Sequence, residues 1–393
     1  MKEWKTYKLG DICSSISETY KSKSKSVVLI NTSDVLEGRC LNHEFVPNKD
    51  LKGQFKKVFK FGDILYSEIR PANKRFAYID FDATDYIAST KLMVLRNNDK
   101  VTNRFLYHYL KSESTIAELQ ALAESRSGTF PQITFSELSQ LEISIPDIET
   151  QLAISSFIDT LESKIELNRQ INDNLEKQAQ ALYKSWFIDF EPFKEDEFVE
   201  TEVGMAPRGW RIGNLLDVAE LYDSKRKPLS GMQRSTMKKI YPYYGATSIM
   251  DYVDNYIFDG TYLLMGEDGS VITDEGYPFL QYVSGKFWPN NHAHVMQGKN
   301  GFTTEMLHCF LLKKNISEIV TGAVQAKVSQ GNMKKISLAI APNEILSAFA
   351  QVLDGIYAKI RAIYSENQQL ETMRDTLLPK LMSGELKINK TDC

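Results

Sequence analysis

The stretch ETQLAISSFIDTLESKIELNRQINDNLEKQAQALYKSWFIDF, residues 149–190, carries the clearest periodic signal of this 393-residue chain. Apolar and amide side chains recur in it at alternating steps of four and three residues: Ile154, Ile158, Leu161, Ile165, Asn168, Asn172, Leu175, Ala179, Leu182 and Trp186. A seam sustained at this spacing, with polar residues elsewhere, predicts one long helix that packs along a partner helix rather than over a broad core.

A second seam lies in residues 343–388. Its positions follow the first at an offset of 195 residues: Phe349, Leu353, Ile356, Ile360, Ile363, Asn367, Leu370, Arg374, Leu377 and Leu381. We therefore expect the two helices to pair as a coiled coil. The alternative is two separate amphipathic helices, each lying on its own domain.

Asn172 and Asn367 occupy equivalent seam positions near the middle of these helices. If a pseudo-twofold axis relates the halves, the helices run antiparallel and the two amides meet, which weakens the coil but fixes its register. A helix of ~36 residues is ~54 Å long, against ~34 Å for one turn of B-DNA. The coiled coil would therefore act as a spacer of about one to one and a half duplex turns.

The duplication extends to the segments before each helix. Trp4-x4-Leu9-Gly10-Asp11-Ile12 is echoed by Trp210-x4-Leu215-Leu216-Asp217-Val218. The alternating patterns Leu141-x-Ile143-x-Ile145 and Ile336-x-Leu338-x-Ile340 predict strands that end at a proline before each helix. We expect an α/β (α+β) chain with an internal repeat. Its segments are a globular domain at 1–148, a central helix at 149–190, an acidic linker at 191–206, a second globular domain at 207–342 and a C-terminal helix at 343–388.

Composition excludes several classes of protein. With 42% hydrophobic and 25% charged residues, the chain is globular rather than disordered or fibrous. No apolar run approaches the ~20 residues that span a bilayer, and the charged N-terminus lacks a signal-peptide core. We therefore expect a cytoplasmic protein without membrane contacts. Cys13, Cys40, Cys309 and Cys393 lack the spacing of a disulfide framework or a zinc site.

The net charge of −4 is unevenly distributed. Residues 142–202 contain 5 basic and 15 acidic side chains, whereas residues 1–141 and 203–340 each carry a small basic excess. An anionic partner such as DNA could therefore contact both basic blocks while the acidic segment stays clear of it. Ordinary solvated surface is the alternative interpretation of such small excesses.

Sequence motifs of common enzymes are absent. The chain contains no GxxxxGK[ST], GxGxxG, HExxH or GxSxG motif, and no Asn-Pro-Pro-aromatic or Asp-Pro-Pro-aromatic methyltransferase tetrapeptide. His292 and His294 could share one face of a strand, but no third ligand is evident nearby. We therefore predict polar surface or base contacts for them, with no metal site and no catalytic residues in this chain.

Candidates for DNA contact fall in both halves. Basic loops suit phosphates, while Arg can bind guanine O6 and N7 together and Asn or Gln can do the same for adenine. The candidates in the first half are Lys21, Lys23, Lys25, Arg70, Asn73, Lys74, Arg75 and Arg126. Those in the second half are Lys225, Arg226, Lys227, Arg234, Lys238, Lys239, Asn290, Asn291, His292, Gln325 and Lys327. For each of them, solvated surface is the alternative.

Four motifs resemble those of a known family. They are Gly128-Thr129-Phe130-Pro131-Gln132-Ile133, Leu182-Tyr183-Lys184-Ser185-Trp186-Phe187-Ile188-Asp189-Phe190-Glu191-Pro192, Pro207-Arg208-Gly209-Trp210 and Leu377-Leu378-Pro379-Lys380-Leu381-Met382-Ser383-Gly384-Glu385-Leu386. With them, the whole chain resembles the specificity subunit of type I restriction-modification systems. The second half departs at Gly322-Ala323-Val324-Gln325-Ala326, which lacks the proline of the first motif, so the equivalence of that turn is open.

The resemblance implies a non-catalytic subunit that reads a bipartite double-stranded DNA site, with residues 1–148 and 207–342 as its two target recognition domains. It also implies two modification methyltransferase subunits docked on the helices, methylating adenine N6 with S-adenosylmethionine, and restriction subunits that use ATP and Mg²⁺. No cofactor is expected in this chain itself. The alternatives are an enzyme with an unrecognised active site and a coiled-coil scaffold with two protein-binding domains that does not bind DNA.

Overall fold

The computed structural model describes residues 4–22, 24–49, 51, 53–126, 130–322 and 325–387, without the side chain of Arg126. The chain divides into two compact units: unit 1 comprises residues 1–166 and 368–393, and unit 2 comprises residues 167–367. The α-helices are α1 Asn103–Leu110, α2 Glu113–Arg126, α3 Phe135–Leu138, α4 Ile148–Phe187, α5 Leu215–Val218, α6 Gly231–Ser235, α7 Thr304–Leu312, α8 Gln330–Met333 and α9 Asn343–Met382. Among the described residues, no helix is both long enough and apolar enough to cross a membrane.

The strands of unit 1 are β1 Lys5–Lys8, β2 Cys13–Ile16, β3 Ser26–Ile30, β4 Val35–Leu36, β5 Arg39–Cys40, β6 Phe45–Pro47, β7 Phe55–Lys57, β8 Ile64–Ser67, β9 Phe76–Tyr78, β10 Tyr86–Ser89, β11 Leu92–Asn97 and β12 Glu142–Ile145. Within the described residues they form two four-stranded sheets, of order β6-β3-β10-β7 and β2-β11-β8-β9, and two strand pairs, β1 with β12 and β4 with β5.

The strand β11 explains how unit 1 is layered. Its residues 92–95, Leu-Met-Val-Leu, are all buried, which is typical of a strand covered on both faces. Because side chains alternate along a strand, Met93 and Leu95 enter the core that faces the helices, while Leu92 and Val94 enter a second core between the sheets. The four-residue apolar run therefore holds both layers together.

The strands of unit 2 are β13 Phe198–Thr201, β14 Gly204–Pro207, β15 Arg211–Asn214, β16 Ala219–Leu221, β17 Tyr241–Tyr244, β18 Ile249–Val253, β19 Phe258–Gly266, β20 Leu280–Pro289, β21 Ala293–Gly298 and β22 Ser337–Ile340. In the part of this unit that the structure describes, they form a six-stranded sheet of order β16-β21-β19-β20-β17-β18 and two further pairs, β13 with β14 and β15 with β22. The main core again lies between this sheet and the helices, and includes Leu263, Met265 and Met296.

The repeat predicted from the sequence is present in the strand pairing. In unit 1 the first strand pairs antiparallel with the strand before the long helix, with Lys5 opposite Ile145. In unit 2 the corresponding pair has Arg211 opposite Ile340. The two strands that are predicted to end at a proline therefore pair with equivalent strands, each the first of its repeat. The predicted mixed fold of helices and sheets is confirmed.

The two long helices pair antiparallel, as each unit shows by itself. In unit 1 the first half of α4, at Ile154 and Ile158, shares a core with the last turns of α9, at Leu378 and Leu381. In unit 2 the second half of α4 packs on the beginning of α9. The ring centroid of Phe187, on α4, lies 4.8 Å from that of Phe349, on α9. The alternative of two separate amphipathic helices is thus wrong.

The seam drifts relative to a strict heptad. Ile158, Leu161, Ile165, Leu353 and Ile360 are buried as predicted. Leu175, Leu182, Ile356, Leu370 and Leu377 are only partly buried, and Tyr357 and Leu378 take the buried positions next to Ile356 and Leu377. A straight helix has 3.6 residues per turn, so over several turns the buried stripe moves away from a 3.5-residue repeat.

The amide contact at the middle of the helices differs from the prediction. Asn367 Oδ1 accepts a hydrogen bond from Asn168 Nδ2 at 2.9 Å, not from Asn172. With the 195-residue offset, Asn168 corresponds to Ile363 and Asn367 corresponds to Asn172. In the symmetry-related position, an apolar side chain, Ile363, therefore stands where the observed pair has Asn168. Among the described residues, neither Asn172 Oδ1 nor Asn168 Oδ1 has a hydrogen-bond partner, and both atoms are buried.

The predicted acidic linker at 191–206 is part of the folded unit 2. Phe198 to Thr201 pairs with Gly204 to Pro207 as a hairpin. Before it, the rings of Phe190 and Phe193 lie 5.2 and 5.5 Å from that of Trp210. The prediction weighed the acidic residues of this segment and missed its aromatic ones, which supply enough apolar surface to bury. The five-segment division otherwise stays a prediction.

Candidate nucleic-acid interface

Three loops meet in unit 1 through backbone hydrogen bonds. The amide of Glu68 donates to the carbonyl of Lys91 at 3.0 Å, and the amide of Ile133 donates to the carbonyl of Glu68 at 2.9 Å. The amide of Arg70 donates to the carbonyl of Pro131, also at 3.0 Å. These bonds join loops 67–75, 89–92 and 130–133, which together we call the three-loop junction of unit 1.

Unit 2 contains the same three bonds. Glu267 donates to His292 at 2.8 Å, Val328 donates to Glu267 at 2.8 Å, and Gly269 donates to Ala326 at 2.9 Å. They join loops 266–272, 290–293 and 325–328, the three-loop junction of unit 2. Ala326 thus stands where unit 1 has a proline. Since the bond uses the carbonyl, which proline retains, Pro131 and Ala326 occupy equivalent positions. Residues 127–129 and 323–324 of the same turns lie outside the described residues.

The two junctions also share an unusual backbone conformation. Arg70 has φ 44°, and Gly269, at the equivalent position, has φ 80°. A left-handed conformation suits glycine but costs a non-glycine residue about 1–2 kcal/mol. The hydrogen bond from its amide helps to hold Arg70 in this conformation, on an exposed loop.

A basic side chain braces the same turn in each unit. In unit 1, Lys57 Nζ donates to the carbonyls of Thr90 at 3.0 Å and Leu92 at 2.8 Å. In unit 2, Arg226 Nη1 donates to the carbonyl of Ala293 at 2.6 Å, and the carbonyl of Asn291 lies 3.4 Å away. Lys57 and Arg226 lie in different parts of their units, yet both donate to the carbonyls on either side of the same turn residue, Lys91 or His292.

Arg226 therefore has a structural role. Its side chain is only 12% exposed, and it pairs with Glu267 at 2.7 Å and Asp223 at 3.6 Å. The sequence predicted a phosphate contact because Arg226 lies in a basic run. The guanidinium is instead engaged by two carboxylates and by the carbonyls of Asp223, Asn291 and Ala293, which leaves it little capacity for an external anion.

His294 belongs to the same network. It is buried, whereas the sequence predicts a place on the polar surface or in contact with bases. Its Nδ1 contacts Asp223 Oδ2 at 2.6 Å and its Nε2 contacts the carbonyl of Val328 at 2.7 Å. Burial opposes the charge of His294, but the hydrogen bond and the charge of Asp223 outweigh it and raise the pKa of the imidazole. His294 therefore links Asp223 to the third loop of the junction, at Val328.

Asp223, Glu267 and His294 lie close enough together to hold a metal ion. These carboxylates lie far from His294 along the chain, so the sequence alone does not indicate them as a third ligand. However, both imidazole nitrogens face oxygen acceptors, and Asp223 also accepts from Gln330 Nε2 at 2.6 Å. A metal ligand needs a free nitrogen lone pair, so the arrangement fits an ion-pair network.

The side chains that stand on the junctions differ between the units. In unit 1, Lys91 Nζ donates to Gln132 Oε1 at 3.3 Å and lies 3.6 Å from Glu68. In unit 2, Lys327 Nζ lies 3.4 Å from Glu267, and His292 pairs with Asp268. A common backbone therefore presents one set of polar groups in unit 1 and another in unit 2.

The other predicted contacts fall into three groups. Most are exposed: Lys21, Lys25, Arg70, Asn73, Lys225, Lys227, Lys238, Lys239, Asn291, Gln325 and Lys327. Others are partly buried and engaged within the protein, notably Lys74 with Glu113, Arg75 with two carbonyls and Arg234 with Asp251. Asn290 is buried, and its Oδ1 accepts from the amide of His292. Lys23, Gly128, Thr129, Cys393 and the side chain of Arg126 lie outside the described residues.

Sequence reasoning missed Lys57, Lys91 and Gln132 as parts of this site. Lys91 follows Ser89 and Thr90 between two apolar strands, so the polar triplet could have marked a turn that faces solvent. Gln132 was noticed only as part of a family motif. No signal in the sequence predicts the brace by Lys57, since the chain contains many lysines in similar surroundings.

The fold and these loops define a class: a protein with two repeated units, each presenting different polar side chains on the same backbone junction. Comparison with known proteins gives the family. The family model for the type I restriction modification DNA specificity domain matches residues 1–177 and again residues 207–372. This chain therefore belongs to the type I restriction-modification specificity family.

Individual relatives cover most of the chain. The type I restriction enzyme HindI specificity subunit of Haemophilus influenzae is 30% identical over 98% of this chain and 100% of its own length. The MjaIX specificity subunit of Methanocaldococcus jannaschii is 25% identical over 88% of this chain and 82% of its own. The crystal structure of an S subunit from M. genitalium matches 97% of this chain and 96% of that chain, with 17% identity and a TM-score of 0.49.

Proposed function

We propose that this chain is the DNA sequence-recognition subunit of a type I restriction-modification complex, in which unit 1 and unit 2 each read one half of a bipartite target. The observation that supports it most strongly is the repeated three-loop junction. The same three backbone hydrogen bonds recur in both units, whereas the polar side chains on them differ. A duplicated scaffold with two different sets of side chains suits a target with two different halves.

Phosphate contacts would supply most of the affinity. Exposed lysines such as Lys21, Lys25, Lys225 and Lys227 can displace the counterions of the duplex, which positions a unit without reading sequence. The acidic residues concentrated in 142–202 would repel the duplex from that part of the chain. Binding should therefore weaken steeply as salt increases.

The chemistry would reside in other subunits. In this proposal two modification subunits dock on α4 and α9 and methylate adenine N6, and restriction subunits join the assembly. S-adenosylmethionine would be bound by the former, and ATP with Mg²⁺ by the latter. The role of this chain is to hold the target in register while an adenine is flipped from the stack, a step that costs a few kcal/mol. Because the substrate is cellular DNA, the proposal also implies a cytoplasmic location.

The length of the paired helices would set the gap between the half-sites. Each helix has 40 residues, which corresponds to about 60 Å at ~1.5 Å per residue. The gap should thus be fixed rather than variable, and it should change when both helices are lengthened together.

The test is to express this chain with the modification subunit encoded beside it and to map N6-methyladenine across the host genome by single-molecule sequencing. The proposal predicts a bipartite motif with one fixed gap, which disappears when this chain is omitted. A purified complex that gives no methylation and has no salt-dependent affinity for any duplex would contradict the proposal and favour a scaffold without a DNA target.

A further inference from the structure

The two three-loop junctions carry an inference about where sequence is read, which rests on the proposed function. We propose that Lys91 and Gln132 in unit 1, and at the equivalent positions His292 and Lys327 in unit 2, are the specificity-determining pairs that contact base edges. Lys91 and Gln132 are new candidates, and all four are distinguished from the other exposed polar residues by the way in which the junction holds them.

The equivalence of the pairs follows from the backbone. Lys91 and His292 both accept through their carbonyls from the junction glutamate, which is Glu68 in unit 1 and Glu267 in unit 2. In the third loop, Gln132 pairs across the strand-like bridge with Ile69, and Lys327 pairs in the same way with Asp268. The two positions therefore stand on corresponding points of the two units, although their side chains differ.

The junction fixes the direction of these side chains. Lys91 is half exposed, yet its Nζ is held by Gln132 Oε1 at 3.3 Å and by Glu68 at 3.6 Å. Lys327 is likewise half exposed and held at 3.4 Å by Glu267, which Arg226 fixes in turn. Reading a base edge requires a donor in a defined place, whereas a phosphate can be contacted by a freely moving lysine.

The charge at the junction also favours bases over phosphates. Each junction contains a glutamate at the same position, Glu68 or Glu267, and unit 2 adds Asp268. Carboxylates repel phosphate oxygens but orient a lysine toward a neutral base edge and can accept from cytosine N4. Phosphate contacts are better served by exposed lysines elsewhere on each unit, such as Lys21 and Lys227.

The chemistry of the side chains predicts which bases change. Lysine donates to guanine O6 and N7, and glutamine can bind adenine at N6 and N7. Lys91→Ala is therefore expected to relax a G·C position and Gln132→Ala an A·T position in one half-site. Lys327→Ala is expected to relax a G·C position in the other half-site. Each loss should reduce discrimination roughly 5- to 150-fold at one base pair, which corresponds to the usual value of a good contact.

The experiment uses the complex with its modification subunits, with methylated motifs mapped by single-molecule sequencing. Matched controls exist in each unit: Lys8→Ala removes a lysine whose Nζ also donates to a glutamine, Gln140, at 2.8 Å. Lys299→Ala removes one that also lies 3.4 Å from a glutamate, Glu220. Both controls should leave the motif unchanged. Lys91→Met, which keeps the apolar stem of the side chain, accompanies Lys91→Ala in case the latter does not assemble.

The outcomes separate this proposal from the proposed function. Relaxation at one base pair in the half-site of the mutated unit, with the other half unchanged, supports the reading pairs. An unchanged motif in the Lys91, Gln132 and Lys327 variants overturns them, as does a uniform loss of methylation at all sites. If the wild-type complex methylates no bipartite motif, the proposed function fails and the reading pairs fail with it.

Discussion

Replacing Arg226 by alanine distinguishes a structural brace from a phosphate contact. The guanidinium is 12% exposed, lies 2.7 Å from Glu267 and 3.6 Å from Asp223, and donates to the Ala293 carbonyl at 2.6 Å. Its removal leaves two largely buried carboxylates with fewer cationic partners. Breaking one side of such a buried ion network costs about 3–5 kcal/mol, and the remaining charges of His294 and Lys327 favour the lower value of about 3 kcal/mol.

A loss of about 3 kcal/mol in a unit of this size should lower the melting temperature by roughly 6–12 °C. Lys227→Ala is the matched control, since Lys227 is adjacent and exposed, and it should change stability by less than about 0.5 kcal/mol. Calorimetry gives the melting temperatures, and DNA binding at several salt concentrations gives the salt slope. A phosphate contact predicts the opposite result for Arg226→Ala: an unchanged melting temperature and a slope shallower by about 0.9. That result would refute the brace.

Three further predictions concern stability. Asn172→Leu should stabilise the helix pair by about 1 kcal/mol, because its buried Oδ1 has no partner among the described residues. Asn168→Leu should be less favourable, because its Oδ1 is likewise unpartnered but the substitution also removes the hydrogen bonds from Nδ2 to Glu366 and Asn367. Thermal melting that shows the reverse order would contradict this. Because the pKa of His294 is raised in the folded protein, the pair of His294 with Asp223 should contribute its full stabilisation to the free energy of unfolding below pH 6.5, the ordinary pKa of histidine. This stabilisation should decline as pH rises through the raised pKa. As pH falls below 3.8, the ordinary pKa of an aspartate, toward the lowered native pKa of Asp223, protonation of this carboxylate should remove the pair. A difference in melting temperature between wild type and His294→Gln that does not vary with pH would rule the pair out. Phe349→Ala should cost about 3–5 kcal/mol, since Phe349 is fully buried among three aromatic rings, and a melting temperature within 2 °C of wild type would show that the helices do not depend on this contact.

The helices and the repeat could be predicted from the sequence because both depend on periodic burial of apolar residues. The seam from Ile154 to Trp186 predicts a helix over nearly the whole of Ile148–Phe187, and the alternation before each proline predicts the last strand of each unit. Antiparallel pairing followed from the equivalence of the two seams. The contact of Asn367 was misassigned by one helical turn, since periodicity fixes which face is buried but not how far the two helices slide along each other.

The candidate site was less accessible to sequence reasoning because it depends on contacts between distant loops. A run of basic residues cannot distinguish the exposed Lys227 from the engaged Arg226, because the carboxylates that engage Arg226 include Glu267, 41 residues away. For the same reason Lys91 was overlooked, since its partner Gln132 lies in another loop. Composition gives the kind of side chain, whereas the backbone bonds of the junction decide which of these side chains are held in place.

The central claim is that each unit reads its own half of the target. The most direct measurement replaces residues 1–148 with the corresponding region of a relative in the family and maps the methylated motif of the resulting complex by single-molecule sequencing. The account predicts that one half of the motif changes to that of the relative, while the other half and the gap stay the same. A motif that stays unchanged, or one in which both halves change, would contradict it.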